Sequence, residues 1–495
     1  MITQLHTPQE AASWLRARVT GSLVADSRSV KRGDGFIAWP GAVRDARQYV
    51  ASVLSAGANA CLVESNDIDQ YAFTSEKIAA YAGLKSAAAP IAAAYFEEPS
   101  KQLQTVAITG TNGKTSTAWW LAHALAKLNR KCGVVGTLGI GAPDAIVFNG
   151  LTTPDPVLLQ QQLRRFVDEG FVACAIEASS IGIAEHRLDG THFQVAVLTN
   201  FTQDHLDYHG SMQSYWAAKA SLFHWSGLQT AVINIDDAKG LDLSLELEAS
   251  GLDLWTVALN APARLQAQAI EQRAASLAFD VVEGTQRANV TISAIGLYNV
   301  SNLLGVIGAM RALGVPLEDA AKACCDLPAV PGRLNTLSES GAPLVVVDYA
   351  HTSDAIEKVL LALKPVAQAK RGQLWCVFGC GGDRDASKRP LMAAIAQKHA
   401  DQIVVTSDNP RMENPASIIN QILLGLTQRG SVHVQEDRAL AIFETVTNAQ
   451  ANDVVLLAGK GHEDYQEISG VKHPFEDMAH AKAAVSKRRH GGRAA

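Results

Sequence analysis

The sequence predicts an α/β protein of three α/β domains whose sheets are mainly parallel. Two observations carry this prediction. The chain has 495 residues, too many for one hydrophobic core, and short β-rich runs alternate with helical patterns along it. The runs lie at residues 106–108, 172–176, 195–198, 232–235, 345–347, 376–378, 403–405 and 454–457. Because parallel sheets bind ligands at the carboxyl ends of their strands, we expect the functional residues there.

Two proline-containing segments divide the chain. Residues 99–104 precede the first nucleotide-like motif, and residues 328–333, with Pro-Gly at their centre, precede a new series of strands. We therefore predict domains at residues 1–98, 99–330 and 331–495, packed closely around a hinge. Residues 1–19 predict a capped amphipathic helix rather than an export signal, with Thr7 as N-cap and Glu10 closing a capping box.

The composition excludes several classes of function. The formal net charge is −6, which supplies no overall attraction to nucleic acid or to an anionic membrane. The most apolar stretch, residues 86–96, is far shorter than the roughly 20 residues that span a bilayer. The seven cysteines are odd in number and lack the spacing of a zinc site. We expect a cytoplasmic protein with reduced thiols that binds neither nucleic acid nor membrane.

The strongest motif is a glycine-rich loop between a predicted strand and a helical pattern. Its residues are Thr109-Gly110-Thr111-Asn112-Gly113-Lys114-Thr115. Gly110 and Gly113 let backbone N–H groups curl around phosphate oxygens, as in a phosphate-binding loop. Lys114 adds a positive charge, and the Thr115 hydroxyl can reach Mg²⁺. Ile108 stands where the strict pattern has its first glycine. A plain glycine-rich turn is the alternative, and the loop alone also permits a P-loop NTPase that couples hydrolysis to motion.

Polar residues follow three later strands of the predicted sheet. Glu177 follows one run, Asp204 and His205 follow the next, and the pair Asp236-Asp237 follows the third. Glu177 and His205 can ligate Mg²⁺ or hold its waters. Taken singly, each such residue is more often a helix cap or a surface group. Their shared position at strand ends favours a metal site.

Further motifs follow one another in order along the chain. They are Asp26-Ser27-Arg28, the loop at 109–115, Thr152-Thr153-Pro154-Asp155, Glu177-Ala178-Ser179-Ser180, the segment at 200–207, Lys219, the segment at 298–302, Pro331-Gly332-Arg333, Asp348-Tyr349-Ala350-His351, the segment at 379–385, Asp408-Asn409-Pro410-Arg411 and Gly459-Lys460-Gly461-His462-Glu463. On these motifs the chain resembles the Mur ligases over nearly its whole length, most closely those that use diaminopimelate. The resemblance implies an N-terminal domain that binds a uridine nucleotide substrate. It also implies a central ATP-binding domain of the P-loop type with helices on both faces of its sheet, and a C-terminal Rossmann-like domain that binds the amino acid.

The resemblance implies which residues bind ATP and metal. The ATP-binding residues are Gly110, Thr111, Asn112, Gly113, Lys114, Thr115, Ser116, Asn302, Arg333 and Asp348. The catalytic residues are Lys114, Lys219, His205 and Glu177. The residues implied to ligate Mg²⁺ are Thr115, Glu177, His205 and Lys219. Lys219 would act as an anionic ligand after CO₂ has converted its amine to a carbamate, a step that burial favours by keeping the amine neutral.

The substrate residues are implied in the same way. Those for the UDP-linked substrate are Ser27, Ala42, Val43, Arg44, Thr152, Thr153, Ser179, Glu185 and Arg187. The loop at 42–44 departs from the His-Gln-Ala form of the family. Those for diaminopimelate are Arg384, Asp408, Asn409, Pro410, Arg411, Gly459 and Glu463. Arg411 would grip the second carboxylate of diaminopimelate, which L-lysine lacks, with paired hydrogen bonds.

The activity implied by the resemblance is that of an acid–amino-acid ligase. It would add meso-2,6-diaminopimelate to the D-Glu side-chain carboxylate of UDP-MurNAc-L-Ala-D-Glu through an acyl phosphate, releasing ADP and phosphate. ATP is needed because a carboxylate must gain a leaving group before an amine can displace it. We expect a monomer in cytoplasmic peptidoglycan synthesis, and so in cell wall biogenesis, cell shape and cell division.

Three alternatives stay open. In the first, the same reaction uses L-lysine as the acceptor. In the second, the protein is a ligase like folylpolyglutamate synthetase, whose substrate does not call for the N-terminal uridine-binding unit. A catalytically silent scaffold is the third, and intact Lys114, Glu177, His205 and Lys219 count against it.

Overall fold

Three separate sheets organise the chain. The computed structural model describes residues 2–41, 44–273, 276–428 and 430–491. The sheets have five, ten and six strands, and a two-stranded hairpin follows the last. They confirm the predicted α/β class with mainly parallel sheets. The proposed domain limits at 98/99 and 330/331 fall between the sheets and stay a prediction.

The N-terminal unit is a five-stranded parallel sheet in the order β1-β5-β4-β3-β2. Its elements are β1 (Thr3–Leu5), α1 (Pro8–Arg16), β2 (Leu23–Val24), β3 (Gly35–Ala38), α2 (Val50–Ser55), β4 (Ala60–Glu64), β5 (Ile78–Tyr81) and α3 (Leu84–Tyr95). The prediction of one helix over residues 1–19 is wrong at its start, because β1 pairs in parallel with β5 and buries Leu5. The capping box is confirmed: the Glu10 N–H donates to the Thr7 hydroxyl, and the Thr7 N–H donates to the Glu10 carboxylate.

The central unit is a ten-stranded sheet in the order β15-β14-β13-β12-β11-β10-β6-β9-β7-β8. Its strands are β6 (Gln104–Thr109), β7 (Cys132–Gly136), β8 (Gly139–Gly141), β9 (Ala173–Glu177), β10 (Val195–Leu198), β11 (Thr230–Asn234), β12 (Asp253–Ala258), β13 (Leu265–Gln272), β14 (Leu277–Glu283) and β15 (Gln286–Ile292). Its helices are α4 (Lys114–Lys127), α5 (Pro156–Asp168), α6 (Ser180–Ala184), α7 (Leu206–His209), α8 (Met212–Ala220), α9 (Ala238–Leu247), α10 (Tyr298–Ala312) and α11 (Leu317–Cys324).

Hydrophobic cores lie on both faces of this sheet, which confirms the two-layered helix arrangement. Along β6, Val106 and Ile108 pack in the core under α4, α10 and α11, while Ala107 between them packs in the core under α5 and α9. Successive side chains of a strand point to opposite faces of the sheet, so a strand covered by helices on both faces needs apolar residues at consecutive positions. Strands β13 to β15 pair antiparallel and were not predicted. One of their faces is polar and exposed, so they lack the continuous apolar run of the parallel strands.

The C-terminal unit is a six-stranded sheet in the order β16-β17-β21-β18-β19-β20, parallel except for β16. Its strands are β16 (Asn335–Leu337), β17 (Leu344–Asp348), β18 (Leu374–Phe378), β19 (Gln402–Val405), β20 (Val432–Val434) and β21 (Val454–Ala458), with the hairpin β22 (Tyr465–Ile468) and β23 (Val471–Pro474). Its helices are α12 (Ser353–Ala369), α13 (Lys388–His399), α14 (Pro415–Leu423), α15 (Arg438–Asn448) and α16 (Asp477–Gly491). Helices α12 to α14 cover one face, and α15 and α16 cover the other.

All eight predicted β-rich runs fall on strands, with their ends shifted by at most a few residues. Short 3-10 helices lie at Ala46–Tyr49, Ile68–Tyr71, Pro99–Gln102 and Ser221–His224. Within the described ranges, no helix has the length and apolar character needed to cross a bilayer.

A fully buried ion pair joins the last two helices to the sheet. The Arg438 guanidinium donates twice to the Asp477 carboxylate, at 2.7 Å in each case, and neither side chain is exposed. The same guanidinium donates to the carbonyls of Ser407 and Ala458, at the ends of β19 and β21. The pair therefore stabilises the chain just before the segments at residues 408–411 and 459–463.

Replacing Asp477 with Ala should destabilise the C-terminal unit, because the Arg438 charge would stay buried without its partner. We expect a loss of about 3–5 kcal/mol in the free energy of unfolding, measured by chemical denaturation. Glu476→Ala, at the exposed neighbouring position, is the control and should change it by less than about 0.5 kcal/mol. Equal effects of the two substitutions would contradict the role given to the pair.

Candidate active site

The predicted phosphate-binding loop connects β6 to α4. Gly110 and Gly113 have positive φ angles of 140° and 88°, and α4 begins at Lys114. A Cβ atom on Gly113 would stand 2.3 Å from Oδ1 of Asn302, and one on Gly110 would stand 1.9 Å from Oγ1 of Thr199. Only glycine fits at both positions. The loop is thus held in one shape and leads directly into the N-terminus of α4.

Two lysines, one half-buried and one buried, converge on one carbonyl of this loop. Nζ of Lys114 donates to the Gly110 carbonyl at 2.8 Å and to that of Thr111 at 3.0 Å. Nζ of Lys219, on α8, donates to the same Gly110 carbonyl at 2.8 Å. Lys219 is 1% exposed, and its amine lies 4.6 Å from the ring centroid of Tyr215. Burial lowers the pKa of both lysines, and the Lys114 charge lowers that of Lys219 further.

Glu177 ends β9, the strand paired directly with β6. Its carboxylate is 1% exposed and accepts hydrogen bonds from the Thr115 hydroxyl at 3.0 Å, the Thr137 hydroxyl at 3.1 Å and the Thr137 N–H at 2.8 Å. Among the described residues no Lys, Arg or His forms an ion pair with it. A buried carboxylate beside a threonine hydroxyl, near the Lys114 charge but without a direct ion pair in the described residues, is a donor set that fits a hard divalent cation.

His205 follows β10, on the other side of β6. Burial lowers its pKa to about 4, the Asp204 carboxylate opposes this shift, and the charges of Lys114 and Lys219 add to it. Its neutral ring is the form that can ligate a metal. Glu177, His205 and Lys219 therefore surround the phosphate-binding loop, although they do not hydrogen-bond to one another in the described structure.

Residues of the C-terminal unit reach the same place. Asp204 lies 3.5 Å from Nζ of Lys388 and 3.7 Å from Nε2 of His351. Next to it, the Asn112 amide donates to the Asp354 carboxylate at 2.8 Å, at the start of α12. These polar contacts join the phosphate-binding loop and the β10 loop to the C-terminal sheet.

A cleft of about 1210 Å³ lies between the central and C-terminal units. Its lining includes six of the predicted ATP-binding residues, namely Asn112, Gly113, Ser116, Asn302, Arg333 and Asp348. The Arg333 guanidinium stacks 4.7 Å from the Tyr349 ring centroid and donates to the Thr115 hydroxyl at 3.2 Å. Burial raises the pKa of Asp348, an effect that Arg333 opposes. The cleft is large enough for a nucleotide whose phosphates reach the loop.

Four of the predicted substrate residues form a series of hydrogen bonds next to Glu177. The Thr153 hydroxyl donates to the Glu177 carbonyl at 2.7 Å and lies 2.9 Å from the Ser179 hydroxyl. The Thr152 hydroxyl lies 3.0 Å from that of Thr137, and the Arg187 guanidinium donates to the Thr153 carbonyl at 2.9 Å.

The other substrate residues involve the N-terminal unit. Glu185 pairs with Lys85 of that unit at 2.8 Å. Ser27 and Arg44 lie in loops that follow β2 and β3. Ala42 and Val43, also predicted there, lie outside the described residues.

The predicted amino-acid residues form a separate cluster at the ends of β18, β19 and β21. Nζ of Lys460 donates to the Asn409 amide oxygen and to the Glu463 carboxylate, both at 3.0 Å, and the Asn409 amide donates to Glu463 at 2.8 Å. Burial raises the pKa of Glu463, with the Asp408 charge acting the same way and Lys460 opposing both. A Cβ on Gly459 would stand 2.4 Å from the Asp408 carboxylate, so the chain needs glycine at that close approach.

Two arginines lie beside this cluster. The Arg411 guanidinium donates to the Gly382 carbonyl at 2.8 Å and lies 3.5 Å from the Glu467 carboxylate. Arg384 donates to the Asp383 carbonyl at 3.0 Å. The Pro410 carbonyl accepts from the Glu413 N–H. Asn409 therefore contacts Glu463 and Asp408 lies against Gly459, while the Arg411 side chain contacts Gly382 and Glu467. The role of these residues stays a prediction.

Several side chains at the site were not predicted from the sequence. Thr137 binds Glu177 through both its N–H and its hydroxyl. Lys388 and Lys460 contribute the cations described above. Thr137 directly follows the β7 strand, so its position at a strand end was the available signal. Asp237 caps α9, accepts a hydrogen bond from the Phe201 N–H at 2.8 Å and lines the cleft, so a metal-binding role for Asp236 and Asp237 stays a prediction.

Residues 108–310 match the family model of the Mur ligase middle domain, and residues 332–461 match that of the Mur ligase, glutamate ligase domain. The chain is 57% identical, over 98% of both sequences, to UDP-N-acetylmuramoyl-L-alanyl-D-glutamate–2,6-diaminopimelate ligase of Acidovorax sp. (strain JS42). A solved structure of an enzyme with that name superposes with a TM-score of 0.65 at 33% identity, covering 95% of each chain. MurF ligase from Thermotoga maritima in complex with ADP superposes with a TM-score of 0.69 at 18% identity, covering 95% of this chain and 98% of that chain, and shares the fold.

Lys114→Ala should remove nucleotide-dependent turnover without unfolding the protein, because the substitution deletes a charge and leaves the glycine-determined loop shape in place. We expect phosphate release from ATP to fall by at least about a hundredfold, with an unchanged thermal melting temperature. Lys322→Ala, at an exposed position on α11, is the control. Retained turnover in Lys114→Ala would exclude Lys114 as the phosphate-binding lysine.

Proposed function

The chain belongs to the Mur ligase family, and from that premise we propose that it is the ATP-dependent ligase that adds meso-2,6-diaminopimelate to UDP-MurNAc-L-Ala-D-Glu. It forms an amide bond in peptidoglycan synthesis. The observation that carries this function is the 57% identity, over 98% of both sequences, to a relative named for that reaction. We also propose that the enzyme is a cytoplasmic monomer.

The reaction needs two successive displacements. An oxygen of the D-Glu side-chain carboxylate attacks the γ-phosphorus of ATP, the bond to the β,γ-bridging oxygen breaks, and ADP leaves. The amine of diaminopimelate then attacks the acyl carbon, phosphate leaves with the electron pair of the C–O bond, and the nitrogen loses a proton. The protein must therefore hold three substrates in one place and exclude water from the acyl phosphate.

The ATP would occupy the cleft between the central and C-terminal units. Its phosphates would meet Lys114 and the N–H groups of the loop at 109–115, including Gly110, Thr111, Asn112, Gly113, Thr115 and Ser116. Adenine and ribose would meet Asn302, Arg333 and Asp348, which line the same cleft. A uridine nucleotide would bind the N-terminal unit near Ser27 and the loop at 42–44, with its peptide directed to Thr152, Thr153, Ser179, Glu185 and Arg187.

The donor set at the loop supports a magnesium site. Thr115 and Glu177 already contact each other at 3.0 Å, and His205 stands on the opposite side of the loop. When bound, Mg²⁺ would neutralise charge on the phosphates. A carbamate on Lys219 would supply a further oxygen ligand, and the buried position of this amine beside the Gly110 carbonyl supports that modification.

Lys219→Ala should lower turnover by at least about a hundredfold, because it removes the anionic oxygen proposed beside the phosphates. Formate or acetate should restore part of the activity. The modification itself is checked by ¹³C NMR of enzyme equilibrated with ¹³CO₂, in which the wild type gives a carbamate signal that the variant lacks. Lys239→Ala, at a surface position on α9, should keep both the activity and the signal. A fully active Lys219→Ala variant would rule out the assignment.

The acceptor is distinguished by its second carboxylate. Diaminopimelate carries this group at the end where L-lysine has none, so a selective site needs a cation with fixed geometry there. Arg411 supplies a guanidinium at the end of β19, with Arg384 on the neighbouring loop, and Glu463 can hold the distal ammonium. Asp408, Asn409, Pro410 and Gly459 complete the proposed surface.

The test of the function is phosphate release from ATP plus UDP-MurNAc-L-Ala-D-Glu with each candidate acceptor. The wild type should prefer meso-diaminopimelate over L-lysine by at least roughly thirtyfold, because an unpaired charged hydrogen bond costs ~2–5 kcal/mol. Arg411→Ala should lower kcat/KM for meso-diaminopimelate by a similar factor and leave KM for ATP unchanged. Arg371→Ala, at an exposed site, is the control.

Other outcomes of this assay identify other functions. Equal use of L-lysine by the wild type would overturn the acceptor assignment. Release of phosphate only with a folate and glutamate would favour the folylpolyglutamate-synthetase-like alternative.

A further inference from the structure

Two loops carry the arginines proposed to bind the acceptor. One follows β18 and includes residues 381–384, and the other follows β19 and includes residues 409–413. We propose that Glu413 is a positioning residue that sets the distance between Arg384 and Arg411, and that it acts through its ion pair with Arg389. This inference rests on the proposed function, since it concerns the specificity of that same amino-acid site.

The ion pair lies beneath both loops. Arg389, on α13, is 1% exposed and donates to the two carboxylate oxygens of Glu413 at 2.8 and 2.9 Å. The same two terminal nitrogens also donate to the Gly381 carbonyl at 3.0 Å and to the Gln421 amide oxygen at 2.7 Å. A single guanidinium therefore connects the first loop, the second loop and α14. Such a paired geometry fixes the orientation of the carboxylate.

Glu413 also bonds to the first loop directly. Its Oε1 accepts the Asp383 N–H at 2.6 Å, and the Asp383 carboxylate accepts the Met412 N–H at 3.1 Å. These reciprocal bonds place Asp383 and Met412 side by side. Each is a sequence neighbour of one of the two arginines, Arg384 and Arg411. The hydrogen bond from Arg389 holds the pKa of Glu413 below its usual range, which keeps the carboxylate ionised at neutral pH.

The backbones of the two loops approach closely where these bonds form. The Gly382 N–H donates to the Asn409 carbonyl at 2.9 Å, and the Gly382 carbonyl accepts from the Arg411 guanidinium at 2.8 Å. A Cβ on Gly382 would stand 1.9 Å from the Pro410 carbonyl oxygen, so only glycine permits this approach. The guanidinium of Arg411 is thus oriented by the first loop, although Arg411 belongs to the second.

The expected consequence is weaker binding of the acceptor. A bidentate grip on a carboxylate needs its donors held within a few tenths of an ångström, and loops lose that precision when a connecting bond is removed. The cleft residues Asn302, Arg333 and Asp348 make none of these bonds within the described structure. Loss of the Glu413 charge should therefore affect the acceptor and leave ATP binding unchanged.

The experiment compares wild type, Glu413→Gln, Glu413→Asp and Glu444→Gln in the full-length protein. Glu444 is exposed on α15, which packs on the opposite face of the C-terminal sheet, and serves as the matched control. The measurements are KM for meso-diaminopimelate and for ATP, the melting temperature, and hydrogen exchange of residues 381–384 and 409–413. Glu413→Gln should raise KM for meso-diaminopimelate by roughly tenfold, with KM for ATP changed less than about twofold.

Hydrogen exchange should become faster in both loops of Glu413→Gln together, and Glu413→Asp, which keeps the charge, should give intermediate values. Glu444→Gln should match the wild type. Unchanged exchange in either loop, or an equal rise in both KM values, would overturn the proposal and indicate a purely structural pair. Hydrogen exchange is measured without substrate, so it tests the connection between the two loops independently of the reaction. A wild type that fails to use diaminopimelate would contradict the proposed function, and the exchange data would still show whether Glu413 connects the loops.

Discussion

The carbonyl oxygen of Gly110 accepts hydrogen bonds from the amines of Lys114 and Lys219, and the arrangement of the site follows from that contact. Two amines at 2.8 Å from one oxygen are close to each other, and the Lys219 side chain is buried. Burial lowers the pKa of both amines, the Lys114 charge lowers that of Lys219 further, and a nearby anion opposes such shifts. ATP phosphates would provide such an anion for Lys114. A carbamate would replace the positive charge of Lys219 with a negative one, so both proposals answer the same electrostatic constraint.

The order of strands in the central sheet supplies the remaining groups. Because β6 lies between β9 and β10, Glu177 and His205 emerge on either side of the phosphate-binding loop. The C-terminal unit then contributes Lys388 and His351 to Asp204, and Asp354 to Asn112. The candidate site therefore combines residues at the strand ends of the central sheet with side chains of the C-terminal unit. A change in the distance between the two units would separate the cleft residues from the loop.

The amino-acid cluster is built on different principles. Its cations and carboxylates are paired in advance: Lys460 with Glu463, Arg389 with Glu413, and Arg438 with Asp477. Pre-paired charges cost less to keep buried than isolated ones, and they hold the loops in place before substrate arrives. Arg411, by contrast, lies 3.5 Å from Glu467, a looser contact that a substrate carboxylate can replace.

The sequence by itself determined the parallel α/β class, the position of the glycine-rich loop at residues 109–115 between a strand and a helix, the capping box of Thr7 and Glu10, and eight strands. These features depend on periodicity, turn chemistry and glycine placement between near neighbours in the chain, which local patterns report directly. The start of α1 was wrong because β1 gains its stability from β5, about seventy residues later.

Only the tertiary structure decided which distant groups meet. The bonds of Thr137 to Glu177, of Arg389 to Glu413 and of Lys219 to Gly110 join residues that are 24 to 109 positions apart. The order of strands in the sheets sets these contacts. The hydrophobic pattern of a single strand does not reveal which strand lies beside it, so the sequence does not predict that order. A motif can therefore name the side chains of a site, while the crossovers between strands decide their distances, burial and pKa.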